Sequence, residues 1–270
     1  SSNSEKNTSN LSDSGTQLED SAEVSPSDNE IELNLRQAFR VPERSWDLAL
    51  HPDGRIFCTA QNGSKVYSWN PSTEEREEER ATFADIQSMV IASSEEIFYT
   101  TTNYGVTGTL SLMEGSNSTV LASQTDSGIL FRWPMDLIQA PDSGWLIADY
   151  EDSSVFWIQA DSSVQRQIEL TARPEALLLH SNSLYIGTEE GLFVQDWPNG
   201  DLQKIASDPV HGLVVVQNQI WASSNQFLFS LDGSKAFTPE IGRSGSLLYV
   251  NGTLYIGDKI GEWIWATDSL

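Results

Sequence analysis

One phrase returns six times between Trp46 and Leu270: an apolar strand, a short polar turn, a second apolar strand, a polar gap, then a third strand carrying an aromatic residue. Repeats of roughly 35–48 residues made of several short strands are how propeller blades read in sequence. The repeat sets the architecture. It does not set the chemistry, because one fold hosts many functions.

The second strands align as Ile56-Phe57-Cys58, Ile97-Phe98-Tyr99, Trp145-Leu146-Ile147, Leu184-Tyr185-Ile186, Ile220-Trp221-Ala222 and Leu254-Tyr255-Ile256. A first strand lies upstream of each, as in Leu48-Ala49-Leu50, Leu177-Leu178-Leu179 and Leu247-Leu248-Tyr249. Turn-forming residues separate the two, among them Pro52-Asp53-Gly54, Asn218-Gln219 and Asn251-Gly252. The third strands carry an aromatic series, Tyr67, Phe156, Phe193, Phe229 and Trp265, which reads as core between blades.

An outer fourth strand follows in five repeats, for example at Val120-Leu121 and Gln203-Lys204-Ile205. The sixth repeat ends at Leu270 without one, while an orphan strand, roughly residues 31–41, precedes the first repeat. Lent to the last blade, that strand closes the ring and removes an open sheet edge. The expectation is therefore an all-β, six-bladed β-propeller over residues 31–270, closed by an N-terminal strand that completes the last blade. The charged run Glu74 to Arg80 has no apolar face and reads as a solvated loop or hairpin tip.

Residues 1–30 are polar and acidic, with little apolar beyond Leu11, Leu18 and Val24, and read as a disordered tail. Such a tail resembles the tether that follows the acylated cysteine of a bacterial lipoprotein. A trimmed flexible N-terminus explains the same residues. The first reading implies an extracytoplasmic protein, periplasmic or at the cell surface, with a membrane tether through an N-terminal lipid not in this chain, and a monomer is expected. The net charge of -24 argues against nucleic acid as a partner, since a phosphate backbone needs clustered Lys and Arg. It suits divalent cations or basic partners. The one cysteine, Cys58, permits no internal disulfide and falls in a strand, which reads as a buried, inert thiol.

Two segments resemble the six-bladed propellers of the SMP-30/gluconolactonase and NHL-repeat group. Residues 48–57, Leu-Ala-Leu-His-Pro-Asp-Gly-Arg-Ile-Phe, look like that group's blade signature, and residues 145–153, Trp-Leu-Ile-Ala-Asp-Tyr-Glu-Asp-Ser, are similar to its second-strand ending. The resemblance implies a divalent metal in the central channel, held by a Glu, two Asn and an Asp at the mouths of the inner strands. The position matching the first-blade Glu is Trp46, and the position matching an Asn before the third-blade turn is Met135. Neither ligates a hard cation. The resemblance thus implies the fold and argues against simple inheritance of lactonase chemistry.

The starts of the inner strands offer Trp46, Asp47, Gln87, Asp136, Glu175 and His211 as ligand-binding candidates, with Asp136 and Glu175 as candidates for a metal such as calcium. Carboxylates with a His suit a metal or an acid–base pair, and an indole suits stacking on a ligand. Side chains alternate along a strand, so Trp46, Gln87, Glu175 and His211 share one phase and Asp47 and Asp136 the other. One metal site using all of them needs register changes. His51 and His180 fall at turns on the opposite face and read as structural. No catalytic residue and no cofactor beyond a divalent cation is expected. The first reading is a non-enzymatic module that binds a protein or small-molecule ligand through one face of the ring. Its alternative is a metal-dependent lactonase or ester hydrolase with a rearranged channel site.

Overall fold

A strand sandwiched between two neighbouring sheets must be apolar on both faces. The second strands Ile56–Ala60 and Trp145–Asp149 are buried at every position. A computed structural model of the chain describes residues 30–42, 44–60, 65–80, 85–102, 107–114 and 117–270. Residues 1–29 of the expected 1–30 tail lie outside the described residues.

Six sheets follow one another in sequence, antiparallel except for one short added strand in the fifth. Their inner strands are Ser45–Leu50, Ile86–Ile91, Pro134–Gln139, Pro174–His180, Gly212–Val216 and Ser244–Val250. Each touches the next around a ring, and the last touches the first. Every junction between neighbouring blades has its own buried apolar cluster. The aromatic series of the third strands falls within or against these clusters, as with Tyr67, Phe156 and Phe229. Among the described residues all regular structure is β-strand.

The ring closes as expected. Arg36–Arg40 pairs antiparallel with Trp263–Thr267, the third strand of blade six. Phe39 and Val41 are buried, and Phe39 stacks on Trp69 of blade one with centroids 5.0 Å apart. The strand hydrogen-bonded to the last blade is thus packed against the first. Two expectations need correction. Ile31, expected at the start of the closing strand, instead forms with Glu30 a short separate strand, paired in parallel with Lys235–Phe237 at the rim of blade five. Arg76–Arg80 is not a loop but the outer strand of blade one, paired with Lys65–Trp69. An outer strand has solvent rather than another sheet beside its free edge, so an all-charged sequence serves there and blocks edge-to-edge association.

Blades four to six turn from first to second strand through two-residue loops, Ser181-Asn182, Gln217-Asn218 and Asn251-Gly252, each with positive φ at both positions. That geometry matches the twist of a tight hairpin. His51 and His180 lie at this end. The His51 side chain is buried in its turn, with Nδ1 2.8 Å from Asp53 and its ring stacked on Phe57. Cys58 is fully buried, donates to the Thr59 carbonyl at 3.1 Å, and has its thiol pushed up by burial.

Candidate functional site

Register breaks gather the candidate residues. Five of the six inner strands carry a pairing irregularity at their first residues, between Ser45 and Leu48, Ile86 and Ser88, Pro134 and Asp136, Pro174 and Ala176, and Ser244 and Leu247. A bulge inserts a residue and re-aims side chains, and bulges concentrate beside functional sites. The residues inside these breaks are Trp46-Asp47, Gln87, Met135, Glu175 and Gly245-Ser246. His211 occupies the corresponding place in blade five.

Glu175 and His211 meet, with Oε2 3.0 Å from Nδ1. Lys259 donates from Nζ to the same Oε2 at 2.7 Å, and Arg243 donates from Nη2 to Oε1 at 3.3 Å. The Glu175 and His211 side chains are each 3% exposed and that of Lys259 is 5% exposed, whereas that of Arg243 is 37% exposed. Burial works to raise Glu175, but the Lys259 ammonium and then His211 outweigh it and hold the carboxyl well below the usual carboxylate range. Nζ of Lys259 also lies 5.0 Å from the centre of the Trp46 ring, a cation–π contact. Gln87 stands apart from this cluster. Its Oε1 accepts from Nε1 of Trp133 at 3.1 Å and so orients that indole.

Asp47 and Asp136 form a second layer around Ser88. Ser88 Oγ is 2.8 Å from Asp47 Oδ2 and 3.1 Å from Asp136 Oδ1. Each carboxylate also accepts a backbone N–H from an inner strand of another blade, Asp47 from Met89 at 2.9 Å and Asp136 from Leu177 at 2.6 Å. These bonds tie blade one to two and blade three to four. Burial, then the Asp136 carboxylate, pushes Asp47 up to about 7. Burial raises Asp136 as well. The Ser88 hydroxyl has one proton for two carboxyl neighbours, so both contacts are satisfied when one carboxyl is itself protonated. The two groups of candidates thus remain separate in spite of the register breaks.

Beyond the candidates, the mouth is built by Trp133, Tyr150, Arg173, Glu189, Arg243 and Lys259. With Trp46, Met135 and Glu175 these residues line a cavity of about 280 Å³. The channel behind it, about 310 Å³, runs along all six inner strands and shares Trp46, Met135, Glu175 and Lys259 with the mouth. Those four form the floor between the two spaces. Sequence position offers a signal for the missed residues. Trp133, Arg173 and Arg243 each directly precede an inner strand, and Tyr150, Glu189 and Lys259 each directly follow a second strand. The terminal aspartates of two second strands hold these loops. Asp149 accepts from the amides of Arg132 and Trp133, and Asp258 accepts from Gly242, Arg243, Ile260 and Gly261. The second-strand ending singled out in sequence is therefore a clamp on the mouth.

The implied divalent metal does not fit these residues. Trp46 and Met135 stand at two of the ligand positions. Glu175, the carboxylate best placed to serve, already carries an ammonium, and Asp136 is committed to the Leu137 and Leu177 amides. Among the described residues no group of three or more His, Cys, Asp or Glu is placed to hold a metal ion.

No family model matches the sequence, and no curated protein matches it. Solved structures do resemble it. A gluconolactonase from Xanthomonas campestris superposes with a TM-score of 0.72 at 18% identity, over 87% of this chain and 89% of that one. Virginiamycin B lyase from Staphylococcus aureus gives a TM-score of 0.60 at 14% identity, over 84% of this chain and 82% of that one. The PQQ-bound aldose sugar dehydrogenase from Streptomyces coelicolor gives 0.62 at 10% identity, over 86% of this chain and 96% of that one. At these identities the likeness shows the fold: this chain has the six-bladed propeller architecture of gluconolactonase-like proteins. A lactonase, a lyase and a dehydrogenase share it, so the site must carry the functional argument.

Proposed function

We propose that the channel mouth takes a small organic molecule and hydrolyses it as a lactone or ester. The observation that carries this reading is the Glu175–His211–Arg243 arrangement, in which Glu175 and Arg243 line the mouth together with Trp46, Trp133 and Tyr150 and His211 lines the channel behind it. With its proton on Nδ1, facing Glu175, His211 presents a lone pair at Nε2, toward which Arg243 Nε donates at 3.4 Å and beside which the Asn225 side-chain amide lies at 3.4 Å. A carbonyl oxygen entering the mouth competes for that guanidinium and draws it off the ring. Nε2 then takes a proton from water while the water oxygen bonds to the carbonyl carbon. The resulting oxyanion faces Arg243. Collapse breaks the acyl C–O bond, and His211 returns its proton to the leaving alkoxide. Lactone plus water gives a hydroxy acid. The aromatic walls suit the C–H faces of a sugar ring, and the fold shared with a gluconolactonase supports the same substrate class.

A second reading, binding without turnover, is favoured by one feature: Glu175 and His211 already satisfy each other and His211 is nearly fully buried. A panel of aldonolactones and short aryl esters, assayed with chelator present, separates the two. Turnover that falls about 100-fold or more in His211→Ala supports hydrolysis. No turnover, with aldonates raising the melting temperature of the wild type but not of Arg243→Ala, supports binding alone. Neither turnover nor a melting shift defeats both. Export with an N-terminal lipid tether is a separate proposal, tested by lipid labelling of the precursor.

A further inference from the structure

We infer that Lys259 serves this channel as its resident cation, in place of the divalent metal that the family resemblance implies. The inference rests on the mouth being the working site and names what its charge selects. Lys259 is held as a bound ion is held. Its ammonium is buried, donates to Glu175 at 2.7 Å and faces the Trp46 ring at 5.0 Å. The ring position that would block its stem is a glycine. A Cβ on Gly245 would lie 2.7 Å from Lys259 Cγ and 3.2 Å from Cε, so the stem passes through the space left by the missing side chain. Trp46, at the position matching a ligand carboxylate, gives the ammonium a π face where a divalent ion needs oxygen.

The charge balance names the ligand class. Glu175 brings one negative charge to two cationic side chains, Lys259 and Arg243, while the mouth's other carboxylates, Glu151 and Glu189, act on Arg173. Asp136 also acts on Lys259 through space, but its oxygens are committed to two backbone amides and to Ser88, which it shares with Asp47. Arg243 is the member of the cluster with exposed surface. A ligand oxygen that carries or develops negative charge, a carboxylate or a tetrahedral oxyanion, completes the balance there without metal.

The test is titration of Mn²⁺, Zn²⁺ and Ca²⁺ into wild type, Glu175→Gln, Lys259→Met and the double variant Lys259→Met/Glu175→Gln, followed by calorimetry and thermal melting. The wild type is expected to take up no stoichiometric ion and to melt identically with and without chelator. Lys259→Met is expected to melt lower, to bind Zn²⁺ or Mn²⁺ at least tenfold more tightly than the wild type, and to be restabilised by it; the double variant loses that gain. One equivalent of any of these ions on the wild type, lost in Glu175→Gln, overturns the inference, and this arm stands even if Lys259→Met does not fold. A folded Lys259→Met with the metal response of the wild type also overturns it. These readouts need no turnover. An inactive wild type that excludes metal defeats the hydrolase reading alone, whereas a wild type that binds metal through Glu175 defeats the role of Lys259 alone.

Discussion

Gly245 and Lys259 share one volume: the aliphatic stem of the lysine lies where the side chain of residue 245 would be, 2.7 Å from an ideal Cβ. Gly245→Ala is therefore expected to push Lys259 off Glu175 and to cost about 1–3 kcal/mol, the usual range for overpacking. Chemical denaturation of the variant measures the loss. Gly252→Ala is the control, because it meets no atom within 4 Å and pays only for its φ of +85°.

Glu175→Gln removes the only carboxylate in direct contact with Lys259 and Arg243 among the described residues. Stranding a buried charge costs about 3–5 kcal/mol, and the melting temperature should fall accordingly. The pH dependence follows from the sign of the shift. Glu175 is held below its ordinary value, so its contribution is present above the unfolded value of 4.5 and is lost as pH falls through the folded one. The stability difference between wild type and Glu175→Gln should shrink steadily below pH 4.5.

Asp47 runs the other way. Its carboxyl is raised from 3.8 to about 7, so it favours the folded state fully below pH 3.8 and loses that contribution as pH rises toward 7. Asp47→Asn keeps the shape without the titration. Urea unfolding of both proteins from pH 4 to 8 should show the wild type losing ground to the variant as pH rises. A parallel pair of curves would contradict a proton shared across Ser88.

Phe39 is the test of ring closure. It is buried, lies on the strand that completes blade six, and stacks on Trp69 of blade one. Phe39→Ala should cost about 3–5 kcal/mol. A loss below about 1 kcal/mol would mean that the strand is an ornament on the ring rather than its latch.

Much of this was legible in the sequence because each blade must bury both faces of its middle strands. That demand writes Ile56-Phe57-Cys58 and its five counterparts as apolar runs. Arg76–Arg80 escaped because an outer strand has no neighbouring sheet to demand apolar residues. The separate pairing of Glu30–Ile31 with blade five escaped because two residues carry no period. Trp46, Glu175 and His211 were visible as inner-strand starts, and the structure brings Glu175 and His211 together. Lys259 was not visible, since its bond to Glu175 spans 84 residues and depends on the absence of a side chain at Gly245. Trp133 and Arg243 lie immediately before the inner strands rather than within them, where an alternating pattern gives no guidance.

The most direct measurement is a crystal structure of the wild type soaked with D-gluconate, a hydroxy acid of the class the proposed reaction releases. The account expects its carboxylate on the Arg243 guanidinium, its carbon chain against Trp46 and Trp133, and Lys259 still bonded to Glu175. Gluconate on another face with the mouth empty of it, or a divalent ion on Glu175 with Lys259 turned away, would contradict the account.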